Sequence, residues 1–500
     1  MKIPSNELIQ LLNGNIKKKV INNEILNIAD IKDNSENVEK DDIFIAFKGS
    51  RFDGHDFILS AFDKGASLII AQDEEKIPTT DSLQYIIVDD IKKAAADLSH
   101  KLFDISPDDF KILGVTGTNG KSTTVSLVHH ILQKSGKDST LISTVEIKIK
   151  DEVIKEPYNT TPSILELSKI LKKSKENNIE FINMEVSSHA IHQRRIEGFK
   201  FDIISYTNIT RDHLDYHKDF EEYKNIKLSL MYYLKDEGKI IINLDRLNKE
   251  DFVKSGKEVI TYGFKKNADF VINNYEQTLQ QMKFTITTKE HKSFEIRSHL
   301  IGKFNVYNIT NAFVIATLFG LDPEKIIYPI YTFKGVPGRF QIVPNSQSLG
   351  FVAVIDFAHT PDALNEVLKT ASSITEGRII TVFGAGGNAD QGKRKLMGQV
   401  VSENSDVIVL TNDDPKDEDP NQIIEDVSKG IDKDKHFIII PDRETAIDTA
   451  LRFANKGDMV IIAGRGHEKY QLFAHGKKVE FNDYEVTKKL IDKIKRSSGR

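Results

Sequence analysis

Short apolar runs alternate with amphipathic segments from the start of the chain. Within the first hundred residues, DIFIAF, ASLIIA and YIIVDD are typical of strands, and IKKAAADLSHKLF has the apolar spacing of a helix. This order predicts a small α/β domain over residues 1–104. A polar stretch, DISPDDF, follows and is typical of a linker.

A second set of apolar runs predicts a central sheet. KILGVTG predicts a buried strand and Ser122 begins a helical pattern, with a glycine-containing turn between them. Further strands are predicted at IEFINMEV, FDIISYTNIT and KIIINLD. Because continuous apolar runs are typical of parallel strands covered on both faces, we predict a parallel or mixed sheet over residues 105–336.

The last third of the chain repeats strand, polar loop and helix. The strands are predicted at FVAVIDFAH, RIITVFGAGG, DVIVLTNDDP and DMVIIAGRGHE, which indicates a Rossmann-like, doubly wound sheet over residues 337–500. Ligands bind beyond the carboxyl ends of such strands. The residues expected to face one crevice are His359, Lys393, Arg394, Asp413, Asp414, Lys416, His467 and Glu468. The predicted fold class is α/β with three domains.

Composition narrows the function classes. The 500 residues include no cysteine, which excludes disulfides, thiolate metal sites and cysteine nucleophiles, so a bound metal must use oxygen or imidazole ligands. A net charge of -5 lacks the basic excess of a nucleic-acid binder, and no run approaches the roughly 20 apolar residues that span a bilayer. The N-terminus lacks the apolar core of a signal peptide. We expect a cytoplasmic protein without nucleic-acid or membrane partners, and a monomer by default.

The turn after the first central strand has the chemistry of a phosphate-binding loop. Backbone N–H groups at a helix N-terminus cradle phosphates, and a lysine neutralises the phosphoryl group that is transferred. Gly117, Gly120, Lys121 and Ser122 meet that need, although Val115 occupies the place where the strict pattern requires glycine. The alternative is a tight turn with an exposed lysine, which the flanking strand and helix do not favour.

Three polar positions are candidates for a magnesium site. Ser122 offers a hydroxyl oxygen, and Glu185 ends a predicted buried strand, where a carboxylate is costly unless it binds a cation or a proton. His213 follows another strand of the same sheet; imidazole suits magnesium poorly, so contact through water is one option, and a solvated turn is the alternative. The SSH sequence after Glu185 also allows a hydrolase reading, which adjacency in sequence does not favour.

Lys227 falls on the apolar face of a predicted helix. The i, i+3, i+4 spacing places it on one stripe with Tyr223, Leu230 and Leu234. An apolar setting lowers the pKa of a lysine, and a neutral lysine can react with carbon dioxide to give an anionic carbamate. A lysine that extends its ammonium to water is the alternative, and the pattern alone favours it.

Taken together, these motifs resemble the Mur ligase family, the ATP-dependent amino-acid ligases of peptidoglycan precursor synthesis, and most closely its MurE type. Their order and spacing over nearly the full length make the resemblance specific. The absence of a G-x-G-x-x-G turn from the N-terminal domain, unlike the MurC and MurD relatives, supports the MurE or MurF type. The motifs are VTGTNGKSTT, NTTP, MEVSSHA, TNITRDHLDYH, the Tyr223 to Lys227 spacing, GKFNVYN, GVPGRF, DFAHTPDAL, VFGAGGNADQGKR, TNDDPKDEDP and GRGHE.

The resemblance implies a UDP-binding domain, an ATPase domain and an amino-acid-binding domain, in that order. ATP would contact Gly117, Thr118, Asn119, Gly120, Lys121, Ser122, Thr123, Asn305, Asn308, Arg339 and Asp356. The UDP-MurNAc-dipeptide would contact Ser35, Ser50, Arg51, Phe52, Asn159, Thr160, Thr161, Ser187, Gln193 and Arg195. The diamino acid would contact Arg394, Asp413, Asp414, Pro415, Lys416, Gly464 and Glu468.

The resemblance also implies the catalytic and metal-binding groups. Mg2+ would be held by Ser122, Glu185, His213 and Lys227, the last as N6-carboxylysine, which reverses the preference drawn from the helix pattern. The implied catalytic residues are Lys121, Glu185, His213, Lys227 and His359, with His359 and the GRGHE loop orienting the attacking amine.

Two positions depart from the family pattern. Glu36 stands where arginine is usual in the uridine loop. The usual Asp-Asn-Pro-Arg of diaminopimelate enzymes is here Asp413, Asp414, Pro415 and Lys416, and lysine lacks the bidentate fork with which arginine holds a carboxylate. Because Asp414 adds a negative charge that suits an ammonium, we expect L-ornithine or L-lysine as the added diamino acid, with meso-diaminopimelate third.

Two other functions remain as alternatives. A folylpolyglutamate synthetase has a similar ATPase core, but the NTTP and HTPD loops and the N-terminal domain argue against it. A nucleotide-driven switch or transport ATPase would hydrolyse ATP without making a ligated product.

Overall fold

The computed structural model describes residues 1–49 and 52–497. Ser50 and Arg51, two of the residues expected to contact the uridine nucleotide, lie outside the described residues. Three main sheets lie in successive stretches of the chain, and this α/β architecture agrees with the predicted fold class. Among the described residues, no helix is both long enough and apolar enough to cross a membrane.

The N-terminal stretch forms a five-stranded sheet in the order β2-β7-β6-β5-β4 and a small pair, β1 with β3. Buried Ile43, Ile45, Leu68 and Ile70 form its core with one face of the third helix. The strands are β1 Lys2–Pro4, β2 Ile16–Val20, β3 Ile25–Asn27, β4 Ile31–Lys32, β5 Ile43–Ile45, β6 Leu68–Ala71 and β7 Tyr85–Val88, and the helices are α1 Ser5–Leu11, α2 Ile58–Asp63 and α3 Ile91–Phe103.

The central sheet has eleven strands in the order β11-β10-β9-β12-β8-β13-β14-β15-β16-β17-β18. Its middle, from β9 to β16, is parallel, and the strands at both edges are antiparallel. The strands are β8 Lys111–Thr116, β9 Ser139–Ile142, β10 Ile147–Ile149, β11 Glu152–Lys155, β12 Phe181–Glu185, β13 Phe201–Tyr206, β14 Leu234–Asn243, β15 Glu258–Gly263, β16 Phe270–Gln277, β17 Met282–Thr288 and β18 Ser293–Ser298. The helices are α4 Lys121–Lys134, α5 Ile164–Glu176, α6 Ser188–His192, α7 Phe220–Ser229, α8 Glu250–Val253, α9 Lys303–Leu318 and α10 Pro323–Thr332.

The C-terminal sheet has six strands in the order β19-β20-β24-β21-β22-β23, all parallel except β19. The strands are β19 Gln341–Ile342, β20 Val352–Asp356, β21 Ile379–Phe383, β22 Val407–Leu410, β23 His436–Ile439, β24 Met459–Ala463, and the separate pair β25 Tyr470–Leu472 and β26 Lys478–Glu480. The helices are α11 Pro361–Ile374, α12 Gly392–Asn404, α13 Pro420–Ser428, α14 Arg443–Phe453 and α15 Asp483–Ser497.

The order of β20, β21, β22 and β24 determines where the polar loops meet. In a parallel sheet every carboxyl end lies at the same edge, so the loops that follow these strands gather there. Buried apolar side chains on both faces of the sheet, including Val354 and Ile461 on one and Ile355 and Ile462 on the other, fix the strands. The loops at Asp356, Asp413 and Gly464 are therefore held on a rigid support.

Candidate active site

The predicted phosphate loop lies between β8 and α4, with the strand, loop and helix order that a phosphate cradle requires. Gly117 and Gly120 have positive φ values of 146° and 89°, a region that favours glycine. A Cβ on Gly117 would lie 1.9 Å from Thr207 Oγ1, and one on Gly120 would lie 2.4 Å from Asn308 Oδ1. The backbone amides of the loop can therefore approach an anion only with glycine at these places.

Two lysines meet at the carbonyl of Gly117. Lys121 Nζ donates to Gly117 O at 3.0 Å and to Thr118 O at 2.9 Å, and Lys227 Nζ donates to the same Gly117 O at 2.9 Å. Lys227 is only 2% exposed, so it is not the water-facing lysine that the helix pattern alone favoured. Burial, reinforced by the charge of Lys121, holds the pKa of Lys227 well below its usual range. A lysine whose pKa is lowered in this way loses its proton more easily, and the deprotonated amine can react with carbon dioxide.

Glu185 ends β12, and its carboxylate is fully buried as the sequence predicted. Oε1 accepts a hydrogen bond from Thr144 N at 2.8 Å, and Oε2 accepts one from Thr144 Oγ1 at 3.2 Å. Its negative charge raises the pKa of Lys121, although burial dominates and lowers it overall. The carboxylate of Glu185 is therefore close enough to Lys121 of the phosphate loop to interact with its charge.

His213 lies in the loop after β13, with φ of 54°. Its Nε2 is 3.4 Å from Asp212 Oδ2. Burial lowers the pKa of His213 to about 3, and the attraction of Asp212 does not compensate for it. The imidazole is neutral at physiological pH and can therefore act as a ligand or hydrogen-bond partner.

A cleft of about 850 Å3 opens beside the phosphate loop. Seven residues expected to contact ATP line it, namely Asn119, Gly120, Ser122, Thr123, Asn308, Arg339 and Asp356. Arg339 Nη2 donates to Ser122 Oγ at 3.4 Å, and burial raises the pKa of Asp356 to about 6. Asn305 lies behind this wall, where its Oδ1 accepts from Asn308 Nδ2 at 3.1 Å. The C-terminal sheet thus completes a cleft that begins in the central sheet.

Several lining residues of this cleft escaped the sequence reasoning. Arg246, Tyr307, Asp362 and Glu366 line it, and Arg246 forms an ion pair with Glu366 at 2.7 Å across the two sheets. Arg246 directly follows the predicted strand KIIINLD, and this position could have indicated it. Tyr307 lies inside the GKFNVYN motif. Thr144, the partner of Glu185, had no signal of this kind.

A second group of predicted residues lies next to Glu185. Thr161 Oγ1 donates to Glu185 O at 2.9 Å, and Arg195 Nη1 donates to Thr161 O at 2.9 Å. Ser187 N donates to Thr161 Oγ1 at 3.1 Å, and the Gln193 amide oxygen accepts from Arg195 at 2.7 Å. Thr160 Oγ1 lies 3.3 Å from Thr144 Oγ1. Asn159, by contrast, is exposed in the preceding loop.

The predicted uridine residues lie in the N-terminal stretch. Ser35 is buried, and its carbonyl accepts from Lys64 Nζ at 3.0 Å; Phe52 is 73% exposed. Ion pairs connect this stretch to the central sheet, with Asp90 2.8 Å from Arg194 and Asp30 2.7 Å from Lys169. Arg194 precedes Arg195 in the sequence. The N-terminal stretch therefore contacts the central sheet next to the group that contains Thr161, Gln193 and Arg195.

Three carboxylates gather at the carboxyl edge of the C-terminal sheet. Asp413, Asp414 and Glu468 each offer an oxygen within 4.8 Å of the others. Burial, reinforced by Asp413 and Asp414, raises the pKa of Glu468 to about 8, and burial also raises the pKa of Asp414. Arg465, which the sequence reasoning left out, is fully buried and pairs with Asp414. We call these four residues the acidic cluster.

Three other residues predicted to bind the diamino acid have different surroundings: Gly464 contacts the acidic cluster, Lys416 lies in the loop that follows Pro415, and Arg394 pairs with other carboxylates. A Cβ on Gly464 would lie 2.3 Å from Asp413 Oδ2, and Lys416 N donates to Leu472 O at 3.1 Å in the loop after Pro415. Arg394 is buried in ion pairs with Glu418 at 2.7 Å and Asp426 at 3.2 Å. It is therefore committed to neighbouring carboxylates.

His359 does not contact the acidic cluster in the described hydrogen bonds and ion pairs. Its Nδ1 donates to Phe357 O at 2.8 Å, and its Nε2 lies 3.9 Å from Asp212 Oδ2. Lys393 Nζ also faces Asp212, at 3.7 Å. Of the residues expected to share one crevice, Asp413, Asp414 and Glu468 thus meet in the acidic cluster, whereas His359 and Lys393 face the loop of His213.

Comparisons with known proteins agree with this arrangement. Three family models match successive stretches: "Mur ligase family, catalytic domain" at residues 27–103, "Mur ligase middle domain" at 115–316 and "Mur ligase, glutamate ligase domain" at 338–466. UDP-N-acetylmuramoyl-L-alanyl-D-glutamate--2,6-diaminopimelate ligase of Aquifex aeolicus is 38% identical over 458 residues, 92% of each chain.

Solved structures give the same result. A structure of a UDP-N-acetylmuramoyl-L-alanyl-D-glutamate--2,6-diaminopimelate ligase aligns over 99% of both chains, with a TM-score of 0.68 and 29% identity. MurF of Thermotoga maritima, solved with ADP, aligns over 95% of this chain and 99% of its own, with a TM-score of 0.67 and 19% identity, which shows a shared fold. The chain therefore belongs to the Mur ligase family, as an ATP-dependent ligase of the MurE type.

Proposed function

We propose that this ligase joins a diamino acid to the D-glutamyl residue of UDP-N-acetylmuramoyl-L-alanyl-D-glutamate, in peptidoglycan precursor synthesis. The observation that carries the proposal is the shared cleft: Gly120 and Ser122 of the phosphate loop form one wall, and Arg339, Asp356 and Asp362 form the other. A nucleotide bound there lies between two sheets, and the acidic cluster belongs to the second of them. The name of the Aquifex aeolicus relative supports the UDP-dipeptide as substrate.

Each sheet corresponds to one proposed domain. We assign UDP binding to residues 1–104, the ATPase function to 105–336 and amino-acid binding to 337–500. Thr160, Thr161, Ser187, Gln193 and Arg195 would hold the sugar and peptide part of the substrate. Their hydrogen bonds to one another, and the contact of Thr161 with the carbonyl of Glu185, support this assignment because they join the group to the phosphate side of the site.

The donor set fits a magnesium ion. Glu185 is a buried carboxylate whose described hydrogen bonds come from Thr144 alone, Ser122 adds a hydroxyl, and the neutral imidazole of His213 can bind directly or through water. Lys227 has the burial and the lowered pKa that carbamate formation requires. Bound there, Mg2+ would neutralise charge on the nucleotide phosphates.

We propose that the residues of this chain assist two successive reactions, a phosphoryl transfer and an acyl transfer to an amine. Lys121 and the loop amides stabilise negative charge as an oxygen of the D-glutamyl γ-carboxylate attacks the γ-phosphorus of ATP and the bond to ADP breaks. The α-amine of the diamino acid then attacks the carbonyl carbon of the acyl phosphate, the C–N bond forms, phosphate leaves and the amine loses its proton. His359 lies where the two sheets meet and would orient the amine.

The acidic cluster suits the second ammonium of the incoming amino acid. Even while Glu468 is protonated, the carboxyl groups of Asp413 and Asp414 outnumber the one guanidinium of Arg465, and Arg394 is already paired. A carboxylate at the far end of the ligand would meet Lys416 where arginine is usual. We therefore favour L-ornithine or L-lysine over meso-diaminopimelate, although the names of the relatives give 2,6-diaminopimelate.

One assay tests the function. Protein, ATP, Mg2+ and UDP-MurNAc-L-Ala-D-Glu are incubated with L-ornithine, L-lysine or meso-diaminopimelate separately, and the products are weighed by mass spectrometry. We expect a mass gain of one diamino acid residue, largest with L-ornithine or L-lysine. ADP release without any mass gain would favour the switch ATPase, and a gain only with diaminopimelate would contradict the proposed specificity.

A further inference from the structure

The loop that carries His213 contacts the C-terminal sheet through the three residues before it. Thr210 Oγ1 donates to Asp362 Oδ2 at 3.3 Å, and Asp212 lies 3.9 Å from His359 and 3.7 Å from Lys393. Arg211, between them, forms an ion pair with Asp390. We call Thr210, Arg211 and Asp212 the junction loop.

The Arg211 to Asp390 contact has the geometry of a strong ion pair. Arg211 Nε donates to Asp390 Oδ2 at 3.0 Å and Nη2 donates to Oδ1 at 3.2 Å, so the guanidinium fork engages both carboxylate oxygens. The Asp390 side chain is 7% exposed, whereas that of Arg211 is 44% exposed. Removing the arginine would therefore leave a nearly buried carboxylate without its cation.

Asp390 also fixes the first turn of α12. Its Oδ1 accepts from the backbone N–H of Gly392 at 2.9 Å, and Gly392 is the first residue of that helix. The next residue, Lys393, is buried and directs its ammonium towards Asp212. The Asp390 carboxylate thus contacts both Arg211 of the junction loop and the start of α12. By fixing that start, it also places Lys393 near Asp212, the residue before His213.

We propose that Arg211 and Asp390 are positioning residues that hold the C-terminal sheet against the phosphate site, so that the amine reaches the acyl phosphate before water does. The inference rests on the proposed function and deepens it. Neither residue lines the nucleotide cleft or contacts the phosphate loop in the described structure. Loss of the pair should therefore leave phosphoryl transfer working but allow the acyl phosphate to hydrolyse.

The test compares Arg211→Gln, Asp390→Asn and the double variant of the full chain. Each single change should lower kcat for ligation about tenfold, within the range of coupled pairs, and should raise the ratio of ADP released to tripeptide formed above that of the unaltered enzyme. KM for ATP should stay within about twofold, because the cleft keeps its lining. The double variant should lose no more than the worse single variant, since both changes break one interaction.

Two further variants keep the result interpretable. Arg211→Lys retains the charge without the fork and should recover part of the ligation rate. Arg452→Gln is the matched control, because it breaks an exposed ion pair with Asp448 within α14 and should change neither the rate nor the ratio. Melting temperatures show whether each variant is folded, and Arg211→Gln decides the question if Asp390→Asn does not fold.

Three results would overturn the inference. The ADP to tripeptide ratio of Arg211→Gln could stay equal to that of the unaltered enzyme, the losses of the two single variants could multiply in the double variant, or KM for ATP could rise while kcat stays constant. Failure of the proposed function is distinguishable, because the unaltered enzyme would then form no tripeptide at all.

Discussion

The phosphate loop and the acidic cluster have opposite electrostatics, although we propose that both serve one reaction. At the phosphate loop, Lys121 and backbone amides surround a place suited to an anion. At the acidic cluster, Asp413, Asp414 and Glu468 outnumber their one arginine and suit a cation. The difference supports the proposal that one chain handles two ligands of opposite charge, each held by a separate sheet, with the chemistry where the sheets meet.

The largest effect is expected at the phosphate loop. Lys121→Met removes the cation nearest the transferred phosphoryl group and should lower kcat at least about 1,000-fold, measured as ADP release. Lys134→Met, an exposed change at the end of the same helix, is the control. Residual activity within tenfold of the unaltered enzyme would show that Lys121 does not carry this role.

The second effect concerns the lysine that shares the carbonyl of Gly117. Lys227→Ala should lower the ligation rate about 100-fold by removing the anionic carbamate, and added acetate should restore part of it by supplying a carboxylate. Lys224→Ala, on the same helix and in an ion pair with Asp251, should change little. A carbamate carbon signal in the NMR spectrum under 13CO2 checks the modification itself, and its absence would count against it.

The third effect is the pH dependence of kcat/KM for the diamino acid, which tests whether the acidic cluster binds the ligand ammonium. With its pKa raised to about 8, Glu468 is protonated at neutral pH and becomes negative as pH rises through 8. Because the ligand ammonium binds the ionised form better, kcat/KM for the diamino acid should increase across pH 7 to 9. Glu468→Gln should remove that part of the increase and lower kcat/KM about tenfold at pH 9. An unchanged profile in the variant would place the ammonium elsewhere.

The smallest effect concerns the choice of amino acid. Lys416→Arg restores a bidentate fork and should raise kcat/KM for meso-diaminopimelate relative to L-lysine by up to about tenfold. Lys429→Arg, an exposed change at the residue that follows α13, is the control. A ratio that does not move would separate Lys416 from recognition of a terminal carboxylate.

Local patterns predicted the parts of the site that follow buried strands. Glu185 ends β12, and the buried strand alone indicated it. Lys227 lies on an apolar helical stripe, but that pattern alone favoured a lysine that extends to water, and only the family resemblance indicated a buried one. Arg465 and Thr144 escaped because their roles arise from contacts between loops far apart in sequence, with Asp414 and Glu185 respectively. The antiparallel edge strands β17 and β18 escaped too, because their alternating pattern is weaker than that of the buried parallel strands.

The same limit explains His359. Its position after a strand of the C-terminal sheet predicted a crevice shared with Glu468, but the packing of the two sheets turns it towards Asp212. Relative placement of domains depends on contacts such as Arg246 with Glu366, which no periodicity in the sequence reveals.

An oxygen-transfer experiment tests the central claim most directly. UDP-MurNAc-L-Ala-D-Glu labelled with 18O in the γ-carboxylate is ligated with ATP and the preferred diamino acid, and the released phosphate is analysed by mass spectrometry. If the phosphate loop activates that carboxylate as an acyl phosphate, one 18O atom moves to the phosphate for each tripeptide formed. Tripeptide formation with unlabelled phosphate would contradict the account.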